Sequence, residues 1–364
     1  MEGMPVPGRY IRSFDGLRAL AIFLVMIFHG TYGLFPGGFL GVDLFFVLSG
    51  YLITSILYGE YANTGRISFT KFYTRRALRL FPVLIICILL SNLLWSYSVL
   101  DLRSDRTVAS LAALFYFTNL VVDYLCGNMN HLWSLCVEEH FYVIWPLAAS
   151  FFLFKLTDIK RINFLIVTII CLAIVRGLAY TFHEQLVFGI FWIDPYAFTL
   201  CRIDSILIGA LLFFWISRRD TNNIPTERHD LLWIFVIFLF FIAFGLTVGL
   251  SNVYWLKGGF LISNLVCAWA VLIAIRNPNH PLLANKLMRW IGKRSYGIYA
   301  YHLPVFYALE PFREAHSIGN FVLVTLVRIA LSLALAELSY EFIEQPILRY
   351  KNRYKVKSGG ELSV

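Results

Sequence analysis

Long apolar runs recur along the whole of this 364-residue chain, and they restrict its possible folds more than any other feature. Examples are ALAIFLVMIF near the N-terminus and LLWIFVIFLFFIAF in the second half. A segment that crosses a membrane must satisfy its backbone hydrogen bonds, so it is a helix or a strand of a closed barrel. Barrel strands alternate apolar and polar residues, whereas these runs are continuously apolar. The sequence therefore predicts an all-α bundle of transmembrane helices.

Composition and charge agree with a membrane protein. Hydrophobic residues make up 59% of the chain and charged residues only 15%, which leaves too little polar surface for a soluble domain. The net charge is +9, but the basic residues flank the apolar runs, which favours membrane topology over nucleic-acid binding. The six cysteines lack the spacing of metal or redox sites, so we interpret them as packing residues and predict no metal.

Eleven apolar windows are candidate spans by length and hydropathy. They cover residues 16–36, 39–58, 80–99, 107–124, 137–155, 163–182, 202–217, 231–249, 258–275, 294–312 and 319–343. Basic residues in the short loops place both termini in the cytoplasm, which requires an even number of crossings. We therefore predict about ten full spans, with the weakly hydrophobic window 107–124 as a re-entrant or partial segment. One transmembrane domain is expected over residues 1–345, followed by a basic cytoplasmic tail over 346–364.

Ionisable residues inside apolar helices are unfavourable, so they are candidate functional residues. Arg18 and His29 are eleven residues apart, which is nearly three helical turns and about 16 Å of rise, so both face the same way. Asp43 opens the next apolar run near the depth of His29, where it could orient the imidazole or cap its own helix. A snorkelling Arg18 and a packing His29 are the simpler alternatives.

A basic stripe precedes the third apolar run. Lys71, Arg75 and Arg79 follow one another at helical spacing, and Arg76 lies beside them. Clustered guanidinium groups suit phosphates, although a topological anchor or contact with anionic lipids explains the same charges.

The stretch HLWSLCVEEHFYVIWP is the densest polar segment within the apolar runs. Ser134, Glu138 and Tyr142 share one helical face, and Glu139 lies about 100° away. Two adjacent carboxylates at the start of an apolar helix are hard to explain by structure alone. Later in the chain, Arg202 and Asp204 could form an interfacial pair.

These segments together resemble the acyltransferase-3 family of membrane-bound O-acyltransferases, from about Phe14 to Arg349. The motifs that carry the resemblance occur in family order: FDGLRALAIFLVMIFH, GVDLFFVLSGYLI, RRALRLFP, HLWSLCVEEHFYVIWP, CRIDSILIG, GKRSYGIYAYHLP and SYEFIEQPILR. One departure is His140, which stands where the family usually has Gln.

The resemblance implies an acyl-CoA co-substrate used from the cytoplasm and an acceptor hydroxyl on a glycan or lipid-linked saccharide. It implies His29 as the central catalytic residue and a donor role for Arg75, Arg76 and Arg79. We expect acetyl-CoA as donor, no tightly bound cofactor, and a bacterial inner membrane, where the modified glycan could be lipopolysaccharide. Some family members carry an extracytoplasmic hydrolase-like domain, and we expect none in this chain.

We predict that His29 acts as general base, with a covalent acyl-histidine as the alternative. Its predicted catalytic partners are Arg18, Asp43 and Glu138, and Ser49 is placed at the donor site. Residues predicted to line the acceptor site are His131, Trp133, Ser134, Glu139, Tyr142, Arg202, Tyr296 and His302. A transporter or flippase for a glycan or lipid would also carry buried charges, but such proteins usually contain internal repeats, and none is evident here.

Overall fold

The computed structural model describes residues 10–31, 34–182, 187–218, 230–247, 258–313 and 317–351. These residues form a helical bundle, as predicted, with one small antiparallel hairpin of strands β1 (Val187–Phe188) and β2 (Phe191–Trp192). The described helices, in chain order, are α1 (Arg12–Gly30), α2 (Leu40–Thr64), α3 (Phe69–Leu94), α4 (Arg106–Leu114), α5 (Asp123–Cys126), α6 (Trp133–Phe151), α7 (Asp158–Thr181), α8 (Thr199–Ser217), α9 (Asp230–Thr247), α10 (Phe260–Arg276), α11 (Lys286–Ala308), α12 (Ile318–Ser339) and α13 (Gln345–Lys351). Residues 352–364, most of the predicted basic tail, lie outside this description.

Six segments of the described chain are long and apolar enough to cross a membrane. They contain α1, α2, α3, α7, α8 and α12. The helices α6 and α11, of 19 and 23 residues, are as long but less uniformly apolar, because charged and polar side chains interrupt them. The structure therefore supports an integral membrane protein, while the count of about ten full spans remains a prediction.

Two helix boundaries differ from the predicted windows. Helix α3 begins at Phe69 rather than near residue 80, because basic side chains lower hydropathy without breaking a helix. The window 107–124 is divided between α4, a 3-10 turn at Thr118–Leu120 and α5. The nine residues of α4 rise only about 14 Å, so this window does not form a spanning helix.

Helices α1 and α11 run parallel and pack backbone against backbone. A Cβ at Gly292 of α11 would clash with the Asp15 carbonyl of α1, and one at Gly16 would clash with the backbone just before α11. At the far end of the pair, Gly30 lies against the Phe306 ring. Glycine permits this close approach, so these contacts fix the register of the two helices.

Helices α2 and α8 form a second pair of this kind. A Cβ at Gly50 would clash with the Ile206 carbonyl, and one at Gly209 would clash with the Val47 carbonyl. Close packing of α2 against α8 therefore accounts for both glycines. The two glycine-packed pairs meet along α1 and α2 and form the centre of the bundle.

Candidate active site

Three histidine rings from different elements meet near the C-terminal end of α1. His29 lies in the last turn of α1, His302 in α11, and His131 in the 3-10 turn Gly127–Leu132. The centroid of the His302 ring lies 5.0 Å from that of His29 and 5.0 Å from that of His131. His302 and His131 are buried, whereas His29 keeps partial exposure. Within the described ranges the three rings do not form a metal-binding group.

Main-chain carbonyl groups hold these rings in place. Nδ1 of His302 lies 2.6 Å from the Tyr299 carbonyl oxygen, and Nε2 of His302 lies 3.1 Å from Nδ1 of His29. Nδ1 of His29 is also 3.1 Å from the Val25 carbonyl oxygen, one turn earlier on α1. Nε2 of His131 lies 3.1 Å from the Ala300 carbonyl oxygen. The fold thus brings together three residues that the sequence predicted separately.

Polar side chains continue from the histidines along α6. The Tyr299 hydroxyl lies 2.6 Å from Oγ of Ser134. One turn further, Glu138 accepts a hydrogen bond of 3.1 Å from the Tyr142 hydroxyl, which also bonds to Ser49 of α2. The side chains between the histidines and α3 are called the polar line: His29, His302, Tyr299, Ser134, Glu138, Tyr142 and Arg76.

A cavity of about 190 Å³ opens between α3 and α6 at the opposite end of the polar line from His29. Its polar walls include Arg76, Tyr116, Glu139 and Tyr142, and apolar side chains of α3 complete it. The Arg76 guanidinium lies 4.7 Å from the centroid of the Tyr142 ring. Of the two adjacent carboxylates, Glu139 therefore faces the cavity, while Glu138 bonds to Tyr142 within the bundle.

Tyr116 is a cavity residue that the sequence did not indicate. Its φ of 58° is the one positive value among the described non-glycine residues. Such backbone strain is unfavourable and is found preferentially at functional sites. The surrounding sequence ALFYFTNLV carries no motif that marks Tyr116. Its place in the cavity wall depends on the turn after α4, which the sequence did not predict.

Arg18 and Arg79 lie at the other end of the bundle from the histidines. Arg18 forms an ion pair of 3.0 Å with Asp15, about 16 Å below His29 along α1. Arg79 is exposed and lies close enough to Arg18 for their charges to repel each other. Arg18 and His29 therefore lie on the same face of α1 but near its opposite ends, and they do not contact each other.

The neighbouring arginines of α3 point to different surroundings. Arg75 makes a loose ion pair of 4.0 Å with Glu60 of α2. Arg76 turns toward α6 and lines the cavity. The predicted donor set is thus divided: Arg76 belongs to the polar line and Arg79 lies near Arg18, whereas Arg75 pairs with α2.

Asp43 contacts Arg202 rather than His29. Oδ1 of Asp43 lies 2.9 Å from a guanidinium nitrogen of Arg202, and both side chains are fully buried. Helix α2 begins after Phe39, so Asp43 lies in its first turn and is not the N-terminal cap. The capping alternative is therefore wrong, and the described contacts of Asp43 connect α2 to α8.

Asp204 pairs with Arg176 of α7 at 2.8 Å, again with both side chains fully buried. The predicted pairing of Arg202 with Asp204 is therefore wrong, because each residue has a partner on another helix. Arg176 was not predicted, although a lone arginine in ICLAIVRGLAY is the kind of intramembrane charge that marks a structural or functional partner. Asp43, Arg202, Arg176 and Asp204 are called the ion-pair cluster.

The remaining predicted residues lie near the ion-pair cluster or near the cavity. The ring of Trp133 is tilted against that of Tyr196, with centroids 4.8 Å apart, and Trp133 lies beside Arg202. The Tyr296 hydroxyl donates to the Leu80 carbonyl oxygen at 3.1 Å and so joins α11 to the cavity wall. His140 bonds to Oγ1 of Thr199 at 2.6 Å.

The chain is similar in sequence to known acyltransferases. Residues 11–337 match the model of the acyltransferase domain Acyl_transf_3. The chain is 34% identical over 380 aligned positions to O-acetyltransferase OatA of Staphylococcus aureus strain NCTC 8325 / PS 47, which covers 95% of this chain and 58% of that protein. It is 35% identical to the putative peptidoglycan O-acetyltransferase YrhL of Bacillus subtilis strain 168, over 93% of this chain and 55% of that protein. No solved structure matches the chain significantly.

The chain thus spans less than 60% of the length of these two relatives, while they cover nearly all of it. The matched region includes the histidines, the polar line and the ion-pair cluster. Together with the apolar helices, this match identifies the chain as an integral membrane protein of the acyltransferase-3 family.

Proposed function

We propose that this protein is a membrane O-acetyltransferase that moves an acetyl group from acetyl-CoA to a hydroxyl group of a glycan. The observation that carries the proposal is the polar line, which leads from the cavity beside Arg76 to a partly exposed histidine between apolar helices. The names of the relatives support O-acetyl transfer, and the name of the Bacillus protein suggests peptidoglycan as the acceptor.

The donor would bind at the basic end of the bundle. With both termini in the cytoplasm, the start of α3 faces the compartment that contains acetyl-CoA. Exposed Arg79 would meet the phosphates, with Arg18 nearby, and the pantetheine arm would extend past Arg76 and the Tyr142 ring. This assigns Arg18 to donor binding rather than to the catalytic step at His29, because about 16 Å separates the two residues.

The transfer step would take place at His29. The acceptor hydroxyl oxygen attacks the thioester carbonyl carbon while Nε2 of His29 takes the hydroxyl proton. The carbon–sulfur bond then breaks, and the thiolate of CoA receives that proton as it leaves. Glu138 would hold Tyr142 in place along the route of the donor. Asp43 has no role in this step, because its ion pair with Arg202 connects two helices of the bundle.

The test measures release of CoA thiol and acetylation of soluble peptidoglycan fragments by the purified full chain in lipid vesicles. The variant His29→Gln should lower the rate by about 100- to 10,000-fold, the usual contribution of a general base. His140→Gln is the matched control, since His140 bonds to Thr199 away from the polar line, and it should retain activity. A rate for His29→Gln within about threefold of wild type contradicts the role of His29.

A further inference from the structure

We infer that His302 is a positioning residue that holds His29 in the tautomer whose Nε2 is free to accept a proton. The inference rests on the proposed role of His29 as base. The contact with His302 determines which nitrogen of the His29 ring is free to act as base.

The tautomer of His302 follows from its contact with a carbonyl group. A carbonyl oxygen can only accept a hydrogen bond, so the 2.6 Å contact with Tyr299 requires that Nδ1 of His302 carries the proton. His302 is fully buried, and its hydrogen-bond partners are the carbonyl groups of Tyr299 and Ile298 and the ring of His29, none of which is negatively charged. A charged ring would lack a counter-ion there, which is unfavourable, so His302 is neutral and its Nε2 is an acceptor.

The tautomer of His29 follows in turn. Nδ1 of His29 lies 3.1 Å from two acceptors, Nε2 of His302 and the Val25 carbonyl oxygen. Nδ1 of His29 therefore carries the proton and shares it between them. The lone pair of His29 lies on Nε2, and the partial exposure of this side chain leaves that nitrogen accessible to an acceptor hydroxyl.

The contact would strengthen during the reaction. When Nε2 of His29 takes a proton, the ring becomes positively charged and its Nδ1–H becomes a better donor to His302. A base oriented by a third group is the general pattern of activated nucleophiles, and here an imidazole takes the place that a carboxylate often occupies. The register fixed by Gly16 and Gly292 keeps α1 and α11, and hence the two rings, in place.

His131 is differently placed, although its ring also touches His302. Its Nε2 is bonded to the Ala300 carbonyl, and no hydrogen bond joins it to His29 among the described residues. It therefore packs against His302 without taking part in the selection of the tautomer.

Two amide variants of His302 test this inference because they differ by one methylene group. His302→Gln places an amide oxygen where Nε2 stood and can still accept from His29. His302→Asn can reach the Tyr299 carbonyl but not His29. We expect kcat of the Gln variant within about fivefold of wild type and kcat of the Asn variant lower by about 10- to 100-fold, with the KM for acetyl-CoA unchanged in both.

Thermal unfolding of both purified variants separates this role from a structural one. Equal kcat values for folded Gln and Asn variants, or losses that follow stability alone, overturn the inference. If the Asn variant does not fold, His302→Ser replaces it in the same comparison. The result is independent of the test of His29: an inactive His29→Gln with a fully active His302→Asn removes the role of His302 and leaves the proposed function intact.

Discussion

The ion-pair cluster and the polar line both place ionisable groups among apolar helices, but the surroundings of these groups differ. In the ion-pair cluster, each arginine lies within 2.9 Å of a carboxylate on another helix, and all four side chains are excluded from solvent. In the polar line, Arg76 lies over an aromatic ring and borders a cavity, and His29 is partly exposed. In this protein, the buried ion pairs therefore connect helices, whereas the ionisable groups that reach a cavity or solvent are the candidates for binding and catalysis.

Breaking the ion-pair cluster should produce the largest effect. Arg176→Met leaves Asp204 buried without its counter-ion, which should lower the free energy of unfolding by about 3–5 kcal/mol. The double variant Arg176→Met with Asp204→Leu should recover most of this loss, because no unpaired charge remains. Thermal unfolding in detergent measures both.

An exposed pair of similar geometry is the control for that experiment. Arg103 lies 2.8 Å from Asp101 on the surface, and Arg103→Met should leave the unfolding temperature unchanged. A single Arg176→Met variant as stable as this control would show that the buried charges do not support the fold.

The two neighbouring carboxylates of α6 should differ in kinetics. Glu138→Gln weakens a charge-assisted bond with Tyr142, worth about 1.5–3 kcal/mol, so kcat should fall by about 10- to 150-fold. Glu139→Gln should change the KM for acetyl-CoA more than kcat, because Glu139 borders the cavity. Equal kcat losses in these isosteric variants would contradict the assignment.

The neighbouring arginines of α3 offer a finer comparison. Arg76→Met removes a cation from the cavity wall and should raise the KM for acetyl-CoA by about tenfold. Arg75→Met breaks only a loose pair with Glu60 and should change this KM by less than about twofold. Similar changes in both variants would indicate a general effect of charge at this surface.

The smallest effect is expected outside the spanning helices, at Asp123. Burial raises the pKa of this carboxyl group to about 6, and the nearby charge of Asp194 adds to the shift. A raised pKa means that the folded state binds the proton more tightly than the unfolded state, so ionisation near neutral pH lowers stability. Asp123→Asn should therefore raise the unfolding temperature by about 2–4 °C at pH 7.5.

The gain from Asp123→Asn should disappear below about pH 4, where the carboxyl group is protonated in both the folded and unfolded states. Unfolding curves of the variant and wild type at both pH values provide the measurement. A gain that is independent of pH would show that burial of the Asp123 charge is not its cause.

The helical structure and the residues of the histidine cluster could be predicted from the sequence, because both depend on the spacing of residues within a local segment. Apolar windows located the long helices, and the motifs marked His29, His131 and His302 before the fold brought them together. The start of α3 was misplaced because hydropathy measures the preference for hydrocarbon, whereas Lys and Arg are good helix formers.

Pairing between distant segments could not be predicted. Asp43 and Arg202 are 159 positions apart, and nothing local distinguishes a partner on α8 from a partner on α1. The same limit applies to Glu138 and Glu139. Helical spacing fixes the angle between them, but the position of α3 decides which of the two faces the cavity.

The backbone contacts at Gly16 and Gly292 also affect how the bundle adapts to its lipid environment. A bilayer thicker or thinner than the bundle creates hydrophobic mismatch, which helices relieve by tilting or by deforming the lipid around them. Because α1 and α11 cannot slide past each other, the pair must tilt as one unit. The spacing of the two histidine rings is thereby insulated from membrane thickness, and adjustment falls to the helices around the pair.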